Sequence, residues 1–283
     1  MPTNLIVGYD GSPAANAAIN AGAQLFPSAH AWIAHIWTPP FTSKRLRRRL
    51  RAAAESADDL AELIEREGAR EADNIVGAGV ALAKAAEWDA EPVVKRTVGS
   101  DGLRLAQLAE RLHTDVVVVG DRGLGRTEAV IGSVSDMVVH YSTVPVLVVP
   151  NPLLTEEYAA LAHGPVVVGY DGSAAAEAAT DTARRLFPDR KVILAAVRDD
   201  DRDVVAGPAT EGLEMLTVDE TNWFGRARDR AIADELIAVG DRSDAAVLVV
   251  GSRGRSPARE VLLGSVAVAT VHRSHRPVLV VHS

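Results

Sequence analysis

At 283 residues the chain exceeds one ordinary domain and suits two of about 100–150 residues each. Apolar residues make up 47% and charged residues 24%, which excludes a disordered chain, and the formal net charge of −8 argues against a general binder of nucleic acid or anionic membrane. There is no cysteine, so disulfides, thiolate metal sites and cysteine nucleophiles are excluded.

The opening stretch, MPTNLIVGYDGS, reads as a strand and turn rather than a signal peptide, and no apolar run approaches the roughly eighteen residues a membrane span needs. A cytoplasmic protein is expected. Leu5 to Tyr9 reads as a strand, and Asp10-Gly11-Ser12-Pro13 as a turn with a cap and a helix-opening proline. An alanine-rich helix then runs to about Phe26, where Pro27 stops it. His30 to Trp37 is a second strand, and a long helical region extends from Ser43 to Trp88. It is expected to break around Gly77 and Gly79 unless those glycines are close packing points. Pro92 to Val98, Asp115 to Val119 and Val144 to Val149 are further strands, with helices at Gly102 to Leu112 and Thr127 to Tyr141. Short valine runs joined by helices imply a parallel sheet covered on both faces.

The chain then repeats itself. Val7-Gly8-Tyr9-Asp10-Gly11-Ser12 recurs letter for letter as Val168-Gly169-Tyr170-Asp171-Gly172-Ser173. VVVVGDRG at 116–123 returns as VLVVGSRG at 247–254, Gly132-Ser133-Val134 as Gly264-Ser265-Val266, and PVLVV at 145–149 as PVLVV at 277–281. Four matching blocks in one order mean duplication of a domain. The expected division is a first domain at 1–150, a linker at 151–164 and a second domain at 165–283 that lacks most of the long second helix. In that helix's place stand an acidic run, Asp199-Asp200-Asp201-Arg202-Asp203, and a weak third strand at Met215 to Val218. The fold class is α/β, with two tandem doubly wound five-stranded parallel-sheet domains of strand order 3-2-1-4-5, Rossmann-like. The two fifth strands, Val144–Val149 and Val278–Val281, have apolar edges that should pair to make an intramolecular pseudo-dimer.

Such sheets bind ligands at the carboxyl ends of their strands, next to the point where strand order reverses. Asp10 and Asp171 each end a first strand, and a glycine-rich loop follows each fourth strand, so each aspartate faces its own loop. Backbone N–H groups of such a loop, running into a helix, can hold phosphate, while the carboxylate accepts from ribose hydroxyls or an amine. The alternative reading of both aspartates is a turn and helix cap.

With these blocks the chain resembles the tandem-domain universal stress protein family of the actinobacterial type. That family carries the motif Gly-x2-Gly-x9-Gly-Ser/Thr after the fourth strand, on the adenine nucleotide alpha hydrolase type of fold. Gly251, Gly254, Gly264 and Ser265 match it fully, with nine residues, Arg255 to Leu263, in the gap. The resemblance implies that Asp171 and the main chain of Val197 hold adenosine, that Gly251, Arg253 and Gly254 line ribose and phosphates, and that Gly264, Ser265 and Val266 grip the phosphate chain. In the first copy the same roles fall to Asp10, Ile36, Gly120, Gly123, Gly132 and Ser133. There the gap is one residue short, Leu124 to Ile131, and Asp121 stands where the second copy has Ser252.

The resemblance implies a cytoplasmic ATP-binding regulator of stress response or growth arrest, with or without magnesium on the phosphates. A homodimer and a protein partner not identified by sequence are also expected, and the net charge of −8 argues against a nucleic-acid or membrane partner. A ligand-free interaction scaffold and a very slow ATPase are the alternatives. No GxxxxGK[ST] loop and no poised general base is present, so no enzyme is expected. Ser12 and Ser173 read as caps, and the histidines lack metal-ligand spacing. A basic cluster, Lys44, Arg45, Arg47, Arg48, Arg49 and Arg51, reads as a solvated helix face, with a polyanion or acidic partner as the alternative.

Overall fold

The computed structural model describes residues 2–38, 44–121, 132–197, 213–218, 228–252 and 263–282. The first half runs β1 (Asn4–Gly8), α1 (Pro13–Leu25), β2 (His30–Trp37), α2 (Lys44–Ala53), α3 (Ala57–Ala85), β3 (Asp89–Arg96), α4 (Asp101–Arg111), β4 (Val116–Gly120), α5 (Ser133–Tyr141) and β5 (Val146–Val149). Helix α6 (Thr155–His163) lies in the segment expected to be a plain linker. The second half runs β6 (Val166–Gly169), α7 (Ala174–Leu186), β7 (Val192–Val197), β8 (Glu214–Val218), α8 (Arg228–Arg242), β9 (Val247–Gly251), α9 (Ser265–Arg273) and β10 (Val278–Val281).

These strands make one sheet in the order β3-β2-β1-β4-β5-β10-β9-β6-β7-β8. Each half has the expected 3-2-1-4-5 order with parallel neighbours, and β5 pairs antiparallel with β10 through Leu147 opposite Leu279. The valine runs explain the layering. In β4, Val116 and Val118 point into one core and Val117 and Val119 into the other, all buried. A strand buried on both faces needs apolar side chains at every position. The first core lies under α1, α3 and α7, and runs without interruption from one half into the other.

The start of each half is built alike. Ser12 caps α1 by accepting from the Ala15 N–H at 3.1 Å, and Ser173 caps α7 by accepting from the Ala176 N–H at 3.2 Å. Gly11 and Gly172 sit at φ 78° and 75°, a region that disfavours residues with a Cβ. At the ends of the two helices, Phe26 and Phe187 stack on each other with ring centroids 5.1 Å apart.

The long helical region does not break at Gly77 or Gly79. It breaks at Ser56, whose Oγ accepts from the Asp59 N–H at 3.1 Å, with Asp58 and Asp59 in the first turn of α3. A cap with acids behind it defines a helix start more strongly than an interior glycine ends one. Gly79 is a packing point: a Cβ there would lie 2.8 Å from both Tyr9 and Ile33. Strand β3 starts earlier than expected and includes Pro92, which is tolerated because β3 is an edge. In α2, Leu50 is buried while Arg45, Arg48, Arg49 and Arg51 are exposed, as a solvated face requires. The acidic run at 199–203 and residues 127–131 of the expected fourth helix lie outside the described residues. Among the described residues no helix is long and apolar enough to cross a membrane.

Candidate functional site

A cavity of about 620 Å³ opens in the first half at the carboxyl ends of β1, β2 and β4. Asp10, Ile36, Gly120, Gly132 and Ser133 all line it, so five residues expected at the first site are brought together. The sixth, Gly123, lies outside the described residues. The topology explains the gathering. β2 and β4 flank β1, so the segments leaving the three strands meet over one crevice.

At one end of the cavity, the chain leaving β4 turns into α5. The Asp121 N–H donates to the Val149 carbonyl at 2.8 Å, and the Gly132 N–H donates to the Asp121 carbonyl at 2.7 Å. Ser135 Oγ donates to the Gly120 carbonyl at 2.6 Å, which ties the first turn of α5 to the end of β4. Gly132 is the N-cap and brings no side chain, so the first turn at Ser133 and Val134 faces the cavity without a capping oxygen. An uncapped helix start suits an anion.

The carboxylate of Asp10 is partly engaged: its Oδ1 accepts from the Ser12 N–H at 2.9 Å, closing the turn anticipated as the alternative reading. Gly120 also has a steric reason of its own, since a Cβ would come within 2.7 Å of the Ala14 backbone. The glycine at that motif position is therefore required by the packing of α1 on β4, whatever the cavity holds.

Several lining residues were not anticipated. His35 is buried, with Nδ1 2.7 Å from the Tyr9 carbonyl. Burial raises the Tyr9 phenol above its ordinary value, with the Asp10 charge adding to the rise, and its hydroxyl donates to Asn16 Oδ1 at 2.8 Å. Glu71 of α3 and Asp101 of α4 add two acids. Burial raises the Asp101 carboxyl, against the opposing pull of the Thr38 hydroxyl, which donates to Oδ1 at 3.2 Å, and of His35. Among the described residues that line the cavity there is no lysine or arginine. The sequence signal for Asp101 was its place just after the Ser100 cap, where an acid is ordinarily a helix-dipole partner.

The second half repeats the frame. Asp171 Oδ1 accepts from the Ser173 N–H at 3.0 Å, the Ser252 N–H donates to the Val281 carbonyl at 2.7 Å, and the Gly264 N–H donates to the Ser252 carbonyl at 2.6 Å. Gly264 heads α9 without a capping side chain, with Ser265 and Val266 in the first turn, and Val197 ends β7. A Cβ on Gly251 would lie 2.9 Å from Ala175, the counterpart of the Gly120 contact. Arg253 and Gly254 lie outside the described residues. Among the described residues no group of three His, Asp or Glu side chains could hold a metal ion.

Fold and cavity together define a tandem doubly wound α/β protein with a crevice at the strand ends. The chain belongs to the universal stress protein family, whose model, described as "Universal stress protein family", matches residues 1–150 and 163–282. It is 31% identical over 194 residues to the universal stress protein Rv2005c of Mycobacterium tuberculosis, covering 59% of this chain and 62% of that one. It is 32% identical over 182 residues to a universal stress protein of Mycolicibacterium smegmatis, covering 59% of this chain and 61% of that one. The match thus spans less than two thirds of either relative's length. A crystal structure of a universal stress protein from Archaeoglobus fulgidus DSM 4304 aligns with a TM-score of 0.65 at 18% identity, covering 100% of this chain and 99% of that one. A Pseudomonas aeruginosa UCBPP-PA14 structure aligns at 0.52 and 16% identity, covering 100% and 93%. Both likenesses are of fold.

Proposed function

We propose that the first half binds an adenine nucleotide and that the chain works as a nucleotide-responsive regulator in stress or growth arrest, in the cytoplasm. One observation carries the reading: a single cavity holds the Asp10 carboxylate, the end of β4 at Gly120, and the uncapped start of α5 at Gly132 and Ser133. Its volume, about 620 Å³, is in the usual range for small-molecule sites, about 300–1,000 Å³. Ribose hydroxyls would donate to Asp10, and phosphate oxygens would accept from the N–H groups of Ser133 and Val134. ATP is the ligand the family motif favours, a motif that the first half carries with a gap one residue short and the second half carries in full. Magnesium would ride on its phosphates, since the described side chains supply no cage for it. Hydrolysis would be slow at most: the buried His35 commits Nδ1 to the Tyr9 carbonyl, and Asp10 holds its own turn. Occupancy would act as a signal through a difference in affinity between two conformations.

The test is mass spectrometry of nucleotide released from protein purified without added ligand, then calorimetric titration of ATP. Asp10→Ala should weaken binding by about tenfold, the worth of one hydrogen bond to a charged group. Asp171→Ala, in the other half, separates the two sites. If wild type carries and takes up no nucleotide, the reading fails. The scaffold reading then stands, favoured by the matching turns that Asp10 and Asp171 close and by the packing need for Gly120 and Gly251.

A further inference from the structure

The cavity is chemically lopsided. On its β4 side it presents the start of α5, and on its β2 side it presents Thr38 and Asp101. Helix α4, which Asp101 opens, packs on both β2 and α5, so its first turn closes the crevice where β2 ends. The usual role for an acid at a helix start is to complement the dipole or to cap. Capping is already done here, since Ser100 Oγ accepts from the Leu103 N–H at 3.3 Å. Asp101 turns instead to the cavity, where Thr38 Oγ1 donates to its Oδ1 at 3.2 Å and no described protein group donates to Oδ2. A carboxylate can accept about four hydrogen bonds. Asp101 is partly buried and Thr38 exposed, so that capacity faces the open cavity, where a ligand donor can replace water.

We propose that Asp101 accepts a hydrogen bond from an exocyclic amine on the ligand's ring, with Thr38 as the positioning residue that aims its carboxylate. This rests on the nucleotide reading above and adds to it a determinant of which base is taken. Phosphates at the start of α5 and sugar at Asp10 leave the ring at the end of β2, beside Asp101.

The experiment titrates wild type and variants with ATP and with purine riboside triphosphate, which has the same sugar and phosphates but no amine. Wild type should prefer ATP by about tenfold, the effect of one charge-assisted hydrogen bond in a partly open site. Asp101→Ala should bring the two ligands within about twofold of each other, chiefly by weakening ATP, as a double-mutant cycle requires for a direct contact. Asp101→Asn should keep part of the preference, about threefold, because its amide oxygen still accepts but without the charge. Thr38→Val should lower the ratio and Thr38→Ser restore it. Circular dichroism of each variant confirms folding, and the ratio of two ligands on one variant is insensitive to a general loss of stability. An unchanged ratio in Asp101→Ala, or equal affinities in wild type, overturns the assignment while leaving nucleotide binding intact. Failure of wild type to bind either ligand overturns both.

Discussion

Phe26 and Phe187 are the same residue of the two repeats, and they stack on each other at 5.1 Å with their planes 27° apart. Each closes an alanine-rich helix just before a proline, and each is almost fully buried. The duplication therefore puts a residue in contact with its own copy, which locks the two halves together beneath the sheet. Phe26→Ala and Phe187→Ala should each destabilise the chain by about 3–5 kcal/mol. The double variant should fall short of additivity by about 0.5–1.5 kcal/mol, the range for aromatic pairs. Urea unfolding of the four proteins measures the coupling.

Gly120 and Gly251 should be intolerant of alanine for a reason unrelated to ligand. The added methyl would lie 2.7 Å from the Ala14 backbone in one case and 2.9 Å from Ala175 in the other. Overpacking of this kind costs about 1–3 kcal/mol. Thermal unfolding without nucleotide should show the loss in both variants, with Gly120→Ala at least as damaging.

Two arginines near the junction should differ sharply. Arg190 donates to the carbonyls of Leu161, Gly164 and Gln24, at 2.6, 3.0 and 3.2 Å, so one guanidinium binds the end of α6 to both halves. Arg190→Ala should cost about 1–3 kcal/mol and speed proteolysis near residue 164. Arg185 meets Asp115 at 3.1 Å, but both side chains are open to solvent. Arg185→Ala should cost under about 1 kcal/mol. Equal losses would contradict this account.

Stability should carry a pH signature from Asp101. Burial raises its carboxyl above the ordinary 3.8, so the folded chain holds that proton at a pH where the unfolded chain has released it. Stability from this group is therefore present below 3.8, declines as pH rises through the raised value, and stays low above it. Asp101→Asn should be more stable than wild type near neutrality, with the gap closing in acid. Melting temperatures of the pair from pH 4 to 7 provide the check.

Much of the architecture could be read from residue patterns. Strands buried on both faces appear as unbroken valine runs, and the repeated YDGS and PVLVV blocks place the first and fifth strands of each half. The strand order expected of this fold class and the expected β5–β10 join are both present in the sheet. Local glycine chemistry was less informative. Gly79 left a break or a packing point open, and the choice depends on Tyr9 and Ile33, which are distant in sequence and make it a packing point. The site was legible where the backbone makes it, at Asp10, Gly120, Gly132 and Ser133, because turns and helix starts leave local signatures. His35, Glu71 and Asp101 were not legible: His35 reaches the cavity from β2 through its contact with the Tyr9 carbonyl, and Glu71 and Asp101 through the packing of α3 and α4, none of which a short motif encodes.

The antiparallel pairing of β5 with β10 has a directional consequence. Within each half the strands run the same way, so the crevice above β1 and the equivalent region above β6 point toward opposite rims of the molecule. Two occupants could never touch, and neither could share a lid. Among the described residues, communication between them can pass through the β5–β10 ladder at Leu147 and Leu279, the Phe26–Phe187 stack or Arg190, and the ladder joins the two halves of the sheet directly.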